Sequence, residues 1–301
     1  MSLLAKNVIK TFGSQKALDK VSFRVDTGEI VGFLGPNGAG KSTMMKIMTG
    51  YFSQDSGDVF VNGINTKDNI KGIRKQVGYL PEHNPLYTGM YIKEYLRHVA
   101  KLYGVDDDLQ TLIPEIIKIT GLEIEQHKKI EQLSKGYRQR TGLAAALIHD
   151  PDVLILDEPT TGLDPNQIIE IRELIQKIGK RKTVLLSTHI MQEAEALCNR
   201  IIIIDKGKIV ADKKPEEISE GEGIEEKLVV EYNKAANIND LQKISGVISV
   251  TPVGGVLNIN CKSGHNVREA LFNYAVKNGM ILHTLYKEKQ SIEQIFKTVT
   301  K

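Results

Sequence analysis

The chain has 301 residues, 41% of them hydrophobic and 26% charged, which is enough apolar material for one large core or two smaller ones. A net charge of +3 is too small to argue for a nucleic-acid partner. No apolar run approaches the ~18 residues of a membrane span, and the opening Met1-Ser2-Leu3-Leu4-Ala5-Lys6 lacks the layout of a secretory signal, so a cytoplasmic chain is expected. The two cysteines, Cys198 and Cys261, form no metal or redox motif and read as reduced, buried thiols.

Residues 3–63 read as short strands broken by turns. Val21-Ser22-Phe23-Arg24-Val25 alternates like a half-buried strand, and Gly28-Glu29 is a turn. Residues 29–34 form a mostly apolar strand that feeds a glycine-rich loop and then a helical run over 43–48. Residues 91–122 carry helical periodicity through Tyr95, Leu96, Val99, Leu102 and Tyr103, then Leu112, Ile113, Ile116 and Ile117. That block fits a helical insertion, about 86–145, into an α/β core. From residue 152 the order is strand 153–156, helix 167–178, strand 183–187 and helix 191–198. The helix 167–178 has Ile168, Ile171, Leu174, Ile175 and Ile178 inward. A hairpin of 201–204 and 208–210 turns about Lys206-Gly207. Strands alternating with helices argue a mostly parallel sheet.

Composition shifts at residues 213–226, which are Pro-, Gly- and Glu-rich and read as a linker. The predicted division is a first domain over 1–214, a linker over 215–226 and a second domain over 227–301. In the second, strand 227–232, helix 238–244, strands 247–253 and 256–261, helix 267–277 and strand 280–286 follow the ferredoxin-like α+β order. Leu228, Val230, Leu257, Ile259, Leu271 and Phe272 give it apolar faces of its own. A last helix over 291–299 opens at Ser291 with Gln294 three residues on, a capping box. No catalytic constellation lies in this part, which reads as a stabilising appendage or as a regulatory module.

The chemistry is concentrated earlier. Gly35-Pro36-Asn37-Gly38-Ala39-Gly40-Lys41-Ser42 matches the phosphate-loop pattern in full, after an apolar strand and before a helix. Glycines let backbone N–H groups turn inward onto phosphate oxygens. Lys41 supplies a point charge for the β- and γ-phosphates, Ser42 a hydroxyl for Mg²⁺, and the helix its positive end. Downstream, the apolar Val153-Leu154-Ile155-Leu156 ends in Asp157-Glu158. Asp157 at a buried strand end can hold Mg²⁺ through water, and Glu158 can orient and activate an attacking water. Between the two lies Leu133-Ser134-Lys135-Gly136-Tyr137-Arg138-Gln139-Arg140. Ser134 there suits an N-cap of a helix over 137–148 and, equally, presents a hydroxyl and free N–H groups to an anion.

These three motifs, in this order, resemble the ATPase subunits of ABC transporters. The resemblance covers about residues 1–214 and implies a phosphate-loop ATPase domain with a mixed sheet core and a helical subdomain. It implies ATP and Mg²⁺ as cofactors, with ATP contacts at Phe12, Gly35, Pro36, Asn37, Gly38, Ala39, Gly40, Lys41, Ser42 and Thr43. Phe12 stands where the family stacks an aromatic on adenine; alone it would read as core. Ser134 and the Gly136 backbone would touch the γ-phosphate held by another copy, and Asp164 in Gly162-Leu163-Asp164 would touch that copy. Glu158, His189 and Lys41 form the implied catalytic set, with His189 as the switch histidine; a lone histidine at a strand end is more often structural. Ser42, Asp157 and Glu82 would face the metal.

Glu82 departs from the common pattern. In Val77-Gly78-Tyr79-Leu80-Pro81-Glu82 the family usually has Gln last. A carboxylate is a good hard ligand but adds negative charge near phosphates; the bland reading is a solvated loop carboxylate. The implied partners are a homodimer or heterodimer of ATPase subunits and an integral membrane permease, with the chain peripheral at the inner face of the membrane. The length and appended domain look most like the ABC-2 exporter class and, within it, the gliding-motility-associated ATPases. The alternative is a non-transport ABC ATPase acting on a ribosome or nucleic-acid complex. One signature sequence and no heptad run favour transport.

Overall fold

Apolar alternation sets the first layer. In the computed structural model, which describes residues 1–105, 108–219, 225–262 and 264–288, β1 (Leu3–Phe12) and β2 (Gln15–Val25) form an antiparallel pair. Leu18, Val21, Phe23 and Val25 of β2 point inward and the residues between them outward. β3 (Ile30–Leu34) is buried along its whole length and runs into α1 (Lys41–Met48). β4 (Ser56–Val61) and β5 (Ile64–Asn65) complete a sheet of order β2-β1-β4-β5.

α2 (Ile70–Gln76) precedes β6 (Val77–Leu80), after which come α3 (Ile92–Leu102), α4 (Leu109–Ile119) and α5 (Lys135–Leu147). The alternating part follows: β7 (Val153–Asp157), α6 (Pro165–Gly179), β8 (Thr183–Thr188), α7 (Met191–Leu197), β9 (Arg200–Asp205) and β10 (Lys208–Lys213). The second sheet has the order β10-β9-β3-β8-β7-β6 and is parallel except for the β9–β10 hairpin. Lys206 and Gly207 both take positive φ, 46° and 77°, as the two-residue turn requires. One core joins both sheets through α1, whose Met44, Met45, Ile47 and Met48 are fully buried. Burial of each such side chain contributes about 1.5–3 kcal/mol.

Several sequence expectations change. The periodic block over 91–122 is helical as expected, in two helices, but Leu102, expected inward, is 71% exposed at the end of α3. The segment read as a linker contains α8 (Pro215–Ser219), with Pro at its start and Glu216 and Glu217 in its first turn, residues that favour a helix N-terminus. Lys213 belongs to β10, and β11 (Glu225–Tyr232) begins inside the same stretch.

The chain divides into two compact units, Met1–Lys214 and Pro215–Lys301. In the second, α9 (Ile238–Gln242), β12 (Val247–Val253), β13 (Val256–Lys262), α10 (Val267–Lys277) and β14 (Leu282–Glu288) follow β11. All pairs are antiparallel in the order β12-β13-β11-β14, the ferredoxin-like arrangement. Leu228, Val230, Ile259 and Leu271 form its core. Phe272, expected inward, is 53% exposed, because successive helical residues point about 100° apart and Leu271 takes the inward place. The expected helix over 291–299 lies outside the described residues. Cys198 and Cys261 are free and buried. Among the described residues, no helix is long and apolar enough to cross a membrane.

His149, just past α5, carries a titration built into this fold. Its Nε2 donates to the Val77 carbonyl (3.2 Å), its ring stacks on Tyr103 (3.8 Å) and its buried Nδ1 has no partner among the described residues. Burial holds its pKa down from 6.5 to about 4. The unfolded chain takes a proton near 6.5 and the folded chain does not until about 4, so this contribution is whole above 6.5 and drains as pH falls to 4. Unfolding midpoints followed across that window should fall less steeply for His149→Phe, which keeps the stack; an unchanged slope would refute this.

Candidate functional site

Four adjacent parallel strands deliver the site. β3, β8, β7 and β6 lie side by side with their ends in register: Leu34 opposite Thr188, Ser187 opposite Asp157, and Leu156 opposite Leu80. The glycine loop, His189, Glu158 and Glu82 therefore leave one edge of the sheet, the carboxyl edge where open α/β sheets bind ligands.

The loop has no room for side chains at two glycines. A Cβ on Gly35 would lie 2.3 Å from the Ile204 carbonyl oxygen. Gly40, the N-cap of α1, has φ +112°, and a Cβ there would strike the Ala17 carbonyl at 2.6 Å. No side chain caps α1, which leaves its first-turn N–H groups to an anion. Lys41 is turned back into this cradle. Its Nζ donates to the carbonyls of Gly35 (2.7 Å) and Pro36 (3.2 Å) and stands 3.5 Å from Glu158 Oε1, with both side chains 6% exposed.

Asp157 and Glu158 divide the hydroxyls around them. Asp157 Oδ1 accepts from Ser42 (3.1 Å) and from Ser187 (2.6 Å), and the Ser187 hydroxyl in turn accepts from the Glu158 N–H (2.9 Å). Glu158 takes φ +51°, a left-handed conformation that costs a non-glycine residue about 1–3 kcal/mol and clusters at functional sites. Its Oε2 lies 2.8 Å from His189 Nδ1 and accepts from the Thr161 hydroxyl (3.1 Å). Its Oε1 is buried with no hydrogen-bond partner among the described residues. One carboxylate oxygen is thus held and the other faces a cation that a bound anion would draw away.

These groups open onto one cleft of about 590 Å³, shared by Phe12, Gln15, Asn37, Gly38, Lys41, Ser42, Thr43, Glu82, Glu158, Thr161 and His189. Phe12 is 44% exposed there, with its ring edge-on to Phe52 (5.6 Å) and Lys10 Nζ 5.4 Å from its centroid. Ser134, Gly136 and Asp164 do not line this cleft. Ser134 caps α5, its hydroxyl accepting from the Tyr137 N–H at 3.4 Å, and Asp164 caps α6, accepting from the Gln167 N–H at 3.0 Å. Gly136 is closed over by the Gln167 side chain, 2.7 Å from where a Cβ would sit.

Residues 18–161 match the family described as "ABC transporter". An uncharacterized ABC transporter ATP-binding protein, YhcH of Bacillus subtilis (strain 168), is 40% identical over 72% of each chain. The chain belongs to the ATP-binding subunits of ABC transporters. It is an ATPase of the ABC type. A Nod factor export ATP-binding protein I of Burkholderia pseudomallei (strain 1710b) is 37% identical, again over 72% of each chain. Among solved structures, the dimeric ATP-binding cassette MJ0796, in a post-hydrolysis state bound to ADP and Pi, superimposes with a TM-score of 0.65 at 28% identity, over 71% of this chain and 98% of that one.

Sequence reasoning missed several members of this ABC site. Ser187 reaches both acids, and Thr161 holds Glu158. Glu193, 2% exposed, accepts from Thr160 (2.5 Å) and Thr188 (3.0 Å), so it ties the segment after Glu158 to the segment before His189. The Ser187-Thr188 pair before His189 was the available signal: two hydroxyls at the end of an otherwise apolar strand.

Proposed function

We propose that this subunit powers export through a separate integral membrane subunit, working as a dimer that closes over two ATP. The observation that carries the dimer is the split of the motifs. Lys41, Ser42, Glu158 and His189 share one cleft, while exposed Ser134 and its helix terminus stand outside it. The relative named for Nod factor export supports the direction of transport. The length and appended C-terminal unit support the ABC-2 class and, more narrowly, the gliding-motility-associated group.

Mg²⁺ fits the donor set. Ser42 and Asp157 present hard oxygens 3.1 Å apart, and Glu82 lines the same cleft as Ser42. Among the described residues, no three His, Cys, Asp or Glu side chains could hold a metal by themselves, as suits an ion bound through few side chains plus phosphates and waters. When bound, it would offset charge on the phosphates. Lys41 moves from its loop carbonyls and Glu158 to phosphate oxygens. Glu158 Oε1, released, accepts the proton of the attacking water, while His189 and Thr161 hold Oε2. Phe12 offers adenine a stacking surface.

Detergent extraction of membranes and purification of this chain should yield an integral membrane subunit in fixed proportion, with a faster ATPase rate than the isolated chain. Recovery with ribosomes or DNA instead would favour the non-transport alternative.

A further inference from the structure

The Tyr79 hydroxyl is buried and has no hydrogen-bond partner among the described residues. Burying a hydroxyl without a partner is costly. Tyr79 stands in β6, beside the strand that ends in Asp157 and three residues before Glu82. It lines a second cleft of about 470 Å³ together with Ser42, Glu82 and Asp157. Glu82 lines both this cleft and the phosphate cleft. The groups that act on the phenol are Asp157, Glu82 and Tyr51; burial first, and then these neighbours, push its pKa above the ordinary value, so it keeps its proton and can donate.

A glutamine at position 82 would carry its own amide donors and no charge. A glutamate brings a second carboxylate close to Asp157 and to a triphosphate, where like charges repel. A neutral donor offsets that repulsion. We propose that Tyr79 is a positioning residue that donates its buried hydroxyl to the Glu82 carboxylate and so holds that carboxylate toward Ser42 and Asp157. The proposal rests on the reading of Glu82 as a metal-side ligand.

Binding of a fluorescent ATP analogue, with Mg²⁺ and with EDTA, separates the two ideas, and unfolding midpoints without nucleotide report folding. Tyr79→Phe should keep its midpoint and its affinity in EDTA, yet bind the Mg²⁺ complex about tenfold more weakly, the scale of a hydrogen bond to a charged group. Glu82→Ala should weaken Mg²⁺-dependent binding as well, and Tyr79→Phe should then add nothing in that background. If Glu82→Ala leaves Mg²⁺-dependent binding unchanged, the reading of Glu82 fails. If Glu82→Ala weakens it but Tyr79→Phe does not, the positioning role is overturned and Glu82 stands. An equal loss from Tyr79→Phe in both backgrounds also overturns it, as does a lowered midpoint with no Mg²⁺-specific loss, which would mark a purely structural hydroxyl.

Discussion

Glu158→Gln is expected to bind ATP and to turn it over roughly 10²–10⁴-fold more slowly, the usual contribution of a positioned general base. The substitution keeps the size of the side chain and an oxygen that can face His189 and Thr161, now 2.8 and 3.1 Å from Oε2. The left-handed backbone at this position, φ +51°, is no harder for Gln than for Glu. What disappears is the basic oxygen. The amide group that replaces Oε1 donates and cannot take a proton from water. A second consequence fixes the sign of the binding change. Lys41 loses its carboxylate neighbour at 3.5 Å, so the anion of ATP meets one competitor fewer, and affinity should hold or rise. Phosphate release and nucleotide binding, measured side by side, test both. Near-normal hydrolysis by the variant would remove Glu158 from the mechanism, and lost binding would show that the change had damaged the cradle.

In that hydrolysis-blocked background, ATP should convert the chain from monomer to dimer in sedimentation, and adding Ser134→Arg should abolish the conversion. The expected loss is complete rather than partial, because a long charged side chain would occupy the place where one copy meets the phosphates of the other. Damage to the subunit itself should be small. Ser134 is exposed and its one capping bond is long, 3.4 Å, so losing the cap costs on the order of 1 kcal/mol. Monomer nucleotide binding should persist, since Ser134 does not line the cleft that holds Lys41. Dimerisation that ignores the substitution would count against the sandwich.

The fold was legible wherever burial imposes a local pattern. β3, β7 and β8 are buried at every position, and such strands read as continuous apolar runs. The Lys206-Gly207 turn announced its hairpin because few residues accept two successive positive φ values. The split between α3 and α4 is marked in the sequence by Gly104 and the three successive aspartates Asp106-Asp107-Asp108, which interrupt the apolar spacing. α8 was hidden by a composition that serves linkers and helix starts alike. In the site, the glycine loop and the two acids are contiguous strings, and their chemistry follows from order and spacing. Ser187 and Glu193 act through partners 30 and 33 residues away in sequence, and only strand adjacency brings these groups together. The strand order β3-β8-β7-β6, which gathers the site, is a tertiary property that no local string encodes.

Asn84 follows Glu82 by two residues and is pinned on α5: its side-chain amide donates to the Arg138 carbonyl (3.2 Å), and a Cβ on Gly142 would fall 1.9 Å from the same nitrogen. Glycine at position 142 is therefore the socket of a joint, and any larger residue would unseat the peg. Through that joint the loop that carries Glu82 is fastened to the helix that Ser134 caps. With the roles proposed for Glu82 and Ser134, a turn of that helix would tug the loop two residues from Glu82, so the arrival of company and the readiness to spend ATP would become a single mechanical event.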